Sequence, residues 1–278
     1  MLVPMLEILN KAKKGGYGVL APNVHNEGSV RAVIEAAEEL ESPLIIDILP
    51  YATKDLVTFG KMACMLAGET RIPVALNLDH GDYYECCVKA LRGGFTGIMV
   101  DRSTLSFEEN IAEIAYFKKI CTPIGVTVEG EIGQISEGDE YEKNREAFLT
   151  DPAVVKEFVE RSGVDCLAVS IGMAHGVYTS SPIIDFDRLE KIKNEVECPL
   201  VFHGGSGSGD ENIARACRIG TQKVNMGTDA YLHGIKVLQE NWKMAEAEGI
   251  RYAENYMLDG YKERVKHYMQ LTGQAGKA

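Results

Sequence analysis

The chain has 278 residues, 45% of them hydrophobic and 25% charged, with a formal net charge of -12. The length suits one α/β barrel, and the composition allows a large buried core. An acidic surface repels nucleic acid and anionic membranes, so neither is expected as a partner, and any anionic ligand needs local positive potential. The seven cysteines are odd in number and form no CxxC pair. They read as reduced, largely buried thiols of a cytoplasmic protein rather than a disulfide framework. Leu2, Met5, Leu6 and Leu9 follow helical spacing, and Lys11, Lys13 and Lys14 come after them, the reverse of a secretory leader. No apolar run is long enough to span a bilayer.

Strand-like and helix-like stretches alternate along the chain. Residues 18–24 (GVLAPNV) read as a strand, and 29–40 as a helix with Val30, Val33, Ile34, Ala37 and Leu40 on one face. A strand at 44–49 and a helix at 55–67 follow, then a strand at 74–78, a helix at 84–91 and a strand at 97–100. The helix at 107–119 leads to a strand at 125–128. A long charged segment, 134–150, interrupts the rhythm. The helix at 152–161, with Pro152 suited to its first turn, restores it. Strands at 166–171, 199–202 and 223–225 alternate with helices at 186–196, 211–219 and 231–242. The residues after 242, ending in a helix near 261–271, read as an appendage. About eight β/α units with continuous apolar strands indicate a TIM (β/α)8 barrel with a C-terminal helical appendage, spanning 1–278 as a single domain. An open doubly wound sheet is the alternative, but 24–28 (VHNEG) offers no GxGxxG turn after the first strand.

In such a barrel the chemistry sits at the C-terminal strand ends. Those ends carry Asn23, Asp79-His80-Gly81, Asp101-Arg102-Ser103, Glu129-Gly130-Glu131, His175-Gly176, His203-Gly204-Gly205-Ser206-Gly207 and Asn225-Met226-Gly227-Thr228. Three of the six histidines, His80, His175 and His203, thus converge from distant segments. Three imidazoles with an open position make a usual catalytic zinc site. His25, His233 and His267 read as surface or packing residues. Gly204-Gly205-Ser206-Gly207 precedes a helix, so its backbone N–H groups can approach an anion, beside the loop at Asn225–Thr228. Asp79 can exchange a proton with a substrate oxygen, or merely orient a ligand. Lys223 precedes the core of the last strand, which argues against a Schiff-base mechanism.

Taken together, these segments resemble the class II, metal-dependent ketose-bisphosphate aldolases. Leu78-Asp79-His80, Val128 to Gly133, Ala174-His175-Gly176, Phe202 to Gly207, Val224 to Thr228 and the tail Gly273 to Ala278 match signature segments in order, over nearly the whole chain. The resemblance is nearest in layout to the shorter fructose- and tagatose-bisphosphate branch. It implies a lyase that cleaves fructose 1,6-bisphosphate, or a close ketose phosphate, to dihydroxyacetone phosphate and an aldehyde such as glyceraldehyde 3-phosphate. It implies zinc on His80, His175 and His203, with Glu131 and Asp101 able to hold a second or displaced metal. It also implies a monovalent cation near the phosphate, and a homodimer or homotetramer. Asp79 becomes the proton donor and acceptor, and Asn225 a hydrogen-bond partner of the intermediate. Asn23, Gly176, Gly204, Gly205, Ser206, Asn225, Met226, Gly227 and Thr228 hold substrate.

Two departures from the family pattern stand out. Ser136-Glu137-Gly138-Asp139-Glu140 replaces a Gly-Gly pair followed by acidic residues, which leaves Asp139 or Glu140 as the loop base. Arg102 stands where the family tends to have a small residue, and either binds a distal anion or pairs with Glu129 or Glu131. The alternatives are a tagatose-bisphosphate or other ketose-1-phosphate aldolase, a phosphosugar-binding homologue that lost turnover, and a zinc hydrolase on the same fold.

Overall fold

A computed structural model describes residues 1–134, 146, 148–174, 176 and 182–278. Helix α1 (Met5–Gly15) comes first. Strands β1 (Val19–Pro22), β2 (Leu44–Ile48), β3 (Val74–Gly81), β4 (Gly97–Val100), β5 (Thr127–Ile132), β6 (Cys166–Val169), β7 (Leu200–Phe202) and β8 (Thr221–Met226) then alternate with helices. These helices are α2 (Glu27–Glu39), α3 (Leu56–Glu69), α4 (Tyr84–Gly93), α5 (Phe107–Cys121), α6 (Pro152–Ser162), α7 (Phe186–Glu195), α8 (Asp210–Ile219) and α9 (Thr228–Glu240). Local chemistry sets several starts. Asn26 and Ser29 form a capping box at α2, as do Ser106 and Glu109 at α5.

All strands pair in parallel, in the order β1-β8-β7-β6-β5-β4-β3-β2. A single bridge between Asn23 and Asp47, with Val24 N donating to Asp47 O at 3.0 Å, closes the remaining seam. The architecture is a nearly closed TIM barrel. Gln274 in the C-terminal tail fills the lower part of that seam. Its Oε1 accepts from Leu20 N and Thr272 Oγ1, and its Nε2 donates to Ser42 Oγ and Pro43 O, both at 2.7 Å.

Side chains alternate inward and outward along each strand. Outward residues pack under the helices in one large core. Inward residues Val19, Ala21, Ile45, Ala75, Met99, Cys166, Ala168 and Val201 fill the lower barrel together with Met5, Ile8, Leu9 and Ala12 of α1. One step toward the C-terminal ends, the inward positions turn polar: Asp47, Asn77, Glu129 and Lys223 are all fully buried. The next step is Asn23, Asp79, Glu131, His203 and Asn225, also buried.

Three expectations need correction. Strand β5 begins at Thr127, because Gly125 takes a left-handed φ of 71° and closes the preceding turn. Glu129-Gly130-Glu131 therefore lie within the strand, not after it. Gly130 faces α5, where a Cβ would sit 2.6 Å from Ile114 Cδ1, and the two glutamates face inward. Lys223 does not precede its strand core but sits inside β8. The final helix is longer than expected: α10 (Trp242–Glu248) leads into α11 (Ile250–Leu271). Gly260, in the middle of α11, marks its crossing with Gly234 of α9, where a Cβ would lie 3.0 Å from Gly234 Cα.

Candidate active site

At the C-terminal end of the barrel a cavity of about 230 Å³ is lined by Asn23, Leu49, Tyr51, Asp79, His80, Gly176, His203 to Ser206 and Asn225 to Thr228. Asp79 and His80 are sequence neighbours, so a regular strand would point them to opposite faces. Here the β3–β4 register slips between Leu78 and Gly81, and His80 takes a left-handed φ of 49°. A non-glycine residue in that region is strained, and the strain brings both side chains to one cavity.

His80 Nε2 and His203 Nδ1 lie 3.1 Å apart. Two nitrogens each about 2.0–2.1 Å from one tetrahedral ion would be separated by roughly 3.3 Å, so the pair fits a shared divalent metal. The outer nitrogens are fixed by carboxylates. His80 Nδ1 donates to Asp101 Oδ2 at 2.7 Å, and His203 Nε2 donates to Glu129 Oε1 at 2.8 Å. Such carboxylate–imidazole pairs set the tautomer and orient the inner nitrogen toward a metal. Asp101 is itself held by Ser103, whose N and Oγ donate to its Oδ1 at 3.0 and 2.8 Å. Among the described residues, two groups have ligand atoms close enough to hold an ion: Asp79, His80 and His203, and His80, Asp101 and Glu131. His175, Asp139 and Glu140 lie outside the described residues.

Asp79 is 3% exposed and accepts from two amides, Asn23 Nδ2 at 2.7 Å and Asn225 Nδ2 at 2.8 Å. Burial pushes its carboxyl up, but His80, His203, Lys223 and the Asn23 hydrogen bond outweigh this and bring it down to about 2. Asn225 Oδ1 is buried and has no hydrogen-bond partner among the described residues, which leaves an acceptor for a ligand hydroxyl. Asn23 is braced from the appendage and α9: Tyr261 and Tyr231 both donate to its carbonyl, at 2.7 and 2.8 Å.

The two glycine-containing loops meet on the other wall. Gly204 has a φ of 66°, and a Cβ there would lie 2.5 Å from Ala174 O, so only glycine fits. Gly205 N donates to Asn225 O at 3.0 Å. Ser206 Oγ accepts from Gly227 N at 3.2 Å and Asp229 N at 3.1 Å, locking the β7 loop to the N-terminus of α9. That 13-residue helix directs its positive end and Thr228 at the cavity. Arg264 and Tyr268 of α11 hold Asp229 at 2.7 Å each.

Arg102 does not pair with Glu129 or Glu131 as one expectation had it. It is 6% exposed and donates to the carbonyls of Gly81 at 2.7 Å and Asp101 at 2.6 Å, with Glu113 at 3.6 Å. Its guanidinium braces the β3 and β4 ends from behind. Of the remaining histidines, His233 faces Glu263 at 3.4 Å, His267 faces Asp210 at 2.8 Å, and His25 stacks edge-on against Tyr231.

Sequence reading passed over the supports: Glu129 as the partner of His203, and Asp47, Asn77 and Lys223 beneath it. The signal was present as strand parity. Asp47 in LIIDI and Asn77 in VALNL interrupt apolar strands at inward positions. Leu49 and Tyr51, which line the cavity from the loop after β2, carried no such mark.

A family model for fructose-bisphosphate aldolase class-II matches residues 3–277. A fructose-bisphosphate aldolase of Thermus caldophilus is 37% identical over 308 aligned positions, covering 100% of both chains. A Bacillus subtilis (strain 168) protein named probable fructose-bisphosphate aldolase is 37% identical over 245 positions, covering 86% of each. Among solved structures, the YdjI aldolase from Escherichia coli K12 superposes with a TM-score of 0.89 at 33% identity, covering 100% of both chains. On the barrel, the site and these relatives together, the chain belongs to the class II fructose-bisphosphate aldolase family, whose members are lyases.

Proposed function

We propose that the chain is a zinc-dependent aldolase that cleaves fructose 1,6-bisphosphate or a close ketose phosphate to dihydroxyacetone phosphate and an aldehyde such as glyceraldehyde 3-phosphate. One observation carries the reading. A carboxylate held by two amides, a converging imidazole pair and a backbone-lined anion pocket share one small cavity. His80 and His203 would hold the ion, with His175 as the third ligand and Glu131 or Asp101 available for a second or displaced position. The ion supplies a Lewis acid that polarises the ketone oxygen.

The chain's own residues then divide the work. Gly204, Ser206 and Thr228 hold the 1-phosphate through backbone N–H groups and hydroxyls, with Gly205, Gly227, Met226 and Gly176 shaping the wall around it, so the acidic net charge is no obstacle. A monovalent cation beside that phosphate is part of the same reading. In cleavage, Asp79 accepts the proton of the C4 hydroxyl as the C3–C4 bond breaks and the electron pair moves onto the ketone half. Asn23 and Asn225 hold the carboxylate in place to receive that proton. Asn225 Oδ1 accepts from a hydroxyl of the ketone half. Asp139 or Glu140 then returns a proton to carbon.

A second reading, a ketose 1-phosphate with an uncharged far end, is favoured by one observation. No Lys or Arg lines the cavity among the described residues, and Arg102 is engaged behind it. A coupled cleavage assay on fructose and tagatose 1,6-bisphosphates and the corresponding 1-phosphates decides between them. A bisphosphate preference supports the first reading, and a 1-phosphate preference the second. If none is cleaved but dihydroxyacetone phosphate binds without exchanging its C–H proton in heavy water, the chain is a phosphosugar-binding homologue.

A further inference from the structure

We infer that Lys223 is a positioning residue for His203, acting through Glu129, and that it has no role as a nucleophile. The inference rests on the reading of His80 and His203 as metal ligands. Lys223 projects from β8 into the barrel interior, where its side chain is fully buried. Its Nζ donates to Glu129 Oε2 at 2.9 Å and faces Asp47 Oδ2 at 3.2 Å. Glu129 uses its other oxygen, Oε1, for His203 Nε2 at 2.8 Å. The carboxylate is thus bridged, one oxygen to the ammonium and one to the imidazole. Turning it about its last torsion breaks both contacts at once. Through this bridge the imidazole keeps its Nδ1 toward His80 Nε2.

The ammonium is the part of the bridge that cannot be spared. Asp47 and Glu129 are fully buried and Asp79 nearly so, and Lys223 is the cation that faces the first two. Without it, two buried carboxylates remain, and Glu129 is free to swing away from a neighbour that repels it. Asp47 has a second anchor, since its Oδ1 accepts from Asn77 Nδ2 at 2.9 Å. Glu129 shows no such alternative among the described residues. Lys223 is also absent from the cavity lining, one layer below the site, so a substrate carbonyl has no path to its Nζ. Its flanking carboxylates raise its pKa despite burial, which keeps it charged.

The test is zinc affinity, measured on metal-free full-length protein by competition with a chromophoric chelator. Three variants are compared: Lys223→Met, Asp47→Asn, and Lys223→Met combined with Asp47→Asn. The double variant removes one cation and one anion together, so it preserves the charge of the cluster and remains informative if Lys223→Met fails to fold. Loss of an outer support of a metal-bound imidazole weakens metal affinity about 10–100-fold. The expected result is that loss in the double variant, with Asp47→Asn within about threefold of the parent and cooperative unfolding in both. The proposal is overturned if the folded double variant binds zinc as tightly as the parent, or if borohydride traps substrate on Lys223. If the parent itself binds no zinc at stoichiometric concentrations, the metal reading falls first, a pattern distinct from either.

Discussion

Replacing Asp79 by Asn changes one atom of the site and makes a two-part forecast. Both carboxylate oxygens now accept from amides, at 2.7 Å from Asn23 and 2.8 Å from Asn225. The side-chain amide of the Asp79→Asn variant can keep one of these contacts, and its own N–H₂ must face a donor at the other. Losing a charge-assisted bond costs about 1.5–3 kcal/mol. The carboxyl titration gives a similar figure. Burial raises it, but the two imidazoles, Lys223 and Asn23 lower it further, from 3.8 to about 2. A depressed carboxyl stabilises the fold above its unfolded pKa, and that contribution is lost as pH falls through the folded value. For metal-free protein, Asp79 therefore contributes on the order of 2 kcal/mol at neutral pH, fading between about pH 4 and pH 2. Denaturant unfolding of parent and variant across that range should show the gap narrowing with acid. In catalysis the variant loses its proton acceptor, so kcat for cleavage should fall about 10²–10⁴-fold. The assay is coupled release of triose phosphate, with zinc content measured in parallel. A variant that keeps its zinc and retains kcat within about tenfold of the parent refutes the role given to Asp79. A variant that loses zinc in step with activity makes Asp79 a ligand instead.

Ser206→Ala removes the acceptor for Gly227 N and Asp229 N and a donor to the phosphate, so KM should rise about 10–100-fold with a smaller change in kcat. An unchanged KM for dihydroxyacetone phosphate condensation would place the phosphate elsewhere. Arg102→Met strips donors from the Gly81 and Asp101 carbonyls and should lower stability by about 2–4 kcal/mol while leaving KM for a bisphosphate within about threefold. A tenfold KM rise for the bisphosphate alone would return Arg102 to the far phosphate. Gln274→Ala leaves Leu20 N and the Pro43 carbonyl without their side-chain partner at the β1–β2 seam, and should cost about 2–4 kcal/mol in denaturant titration. No change in the midpoint would mean that water or a local shift replaces the amide.

The barrel was legible because apolar strands alternate with helices whose apolar residues fall on one face, as Val30, Val33, Ile34 and Ala37 do. The cavity loops were legible because several strand ends carry a polar or ionisable residue next to glycine, as in Asp79-His80-Gly81 and His203-Gly204-Gly205. What stayed hidden depends on geometry across the barrel. The pairing of Lys223 with Glu129 joins residues 94 positions apart, and only strand parity and closure bring them together. Arg102 read as a ligand for an anion because its sequence position is the barrel mouth, yet its side chain turns back to two carbonyls. The shared cavity of Asp79 and His80 needed a register slip and a left-handed histidine, which no propensity foretells. The first half of α11, residues 250–260, escaped because Gly260 looks like a break and is instead a close helix crossing.

The central claim is that a divalent ion on His80 and His203 drives carbon–carbon cleavage in the phosphate-lined cavity. The most direct measurement is cleavage of fructose 1,6-bisphosphate and related ketose phosphates by protein stripped with chelator, before and after zinc is restored, with borohydride trapping in parallel. The account predicts activity that disappears on stripping, returns with about one equivalent of zinc and leaves no covalent adduct. Full activity in the stripped protein, or a substrate adduct on a lysine, would contradict it.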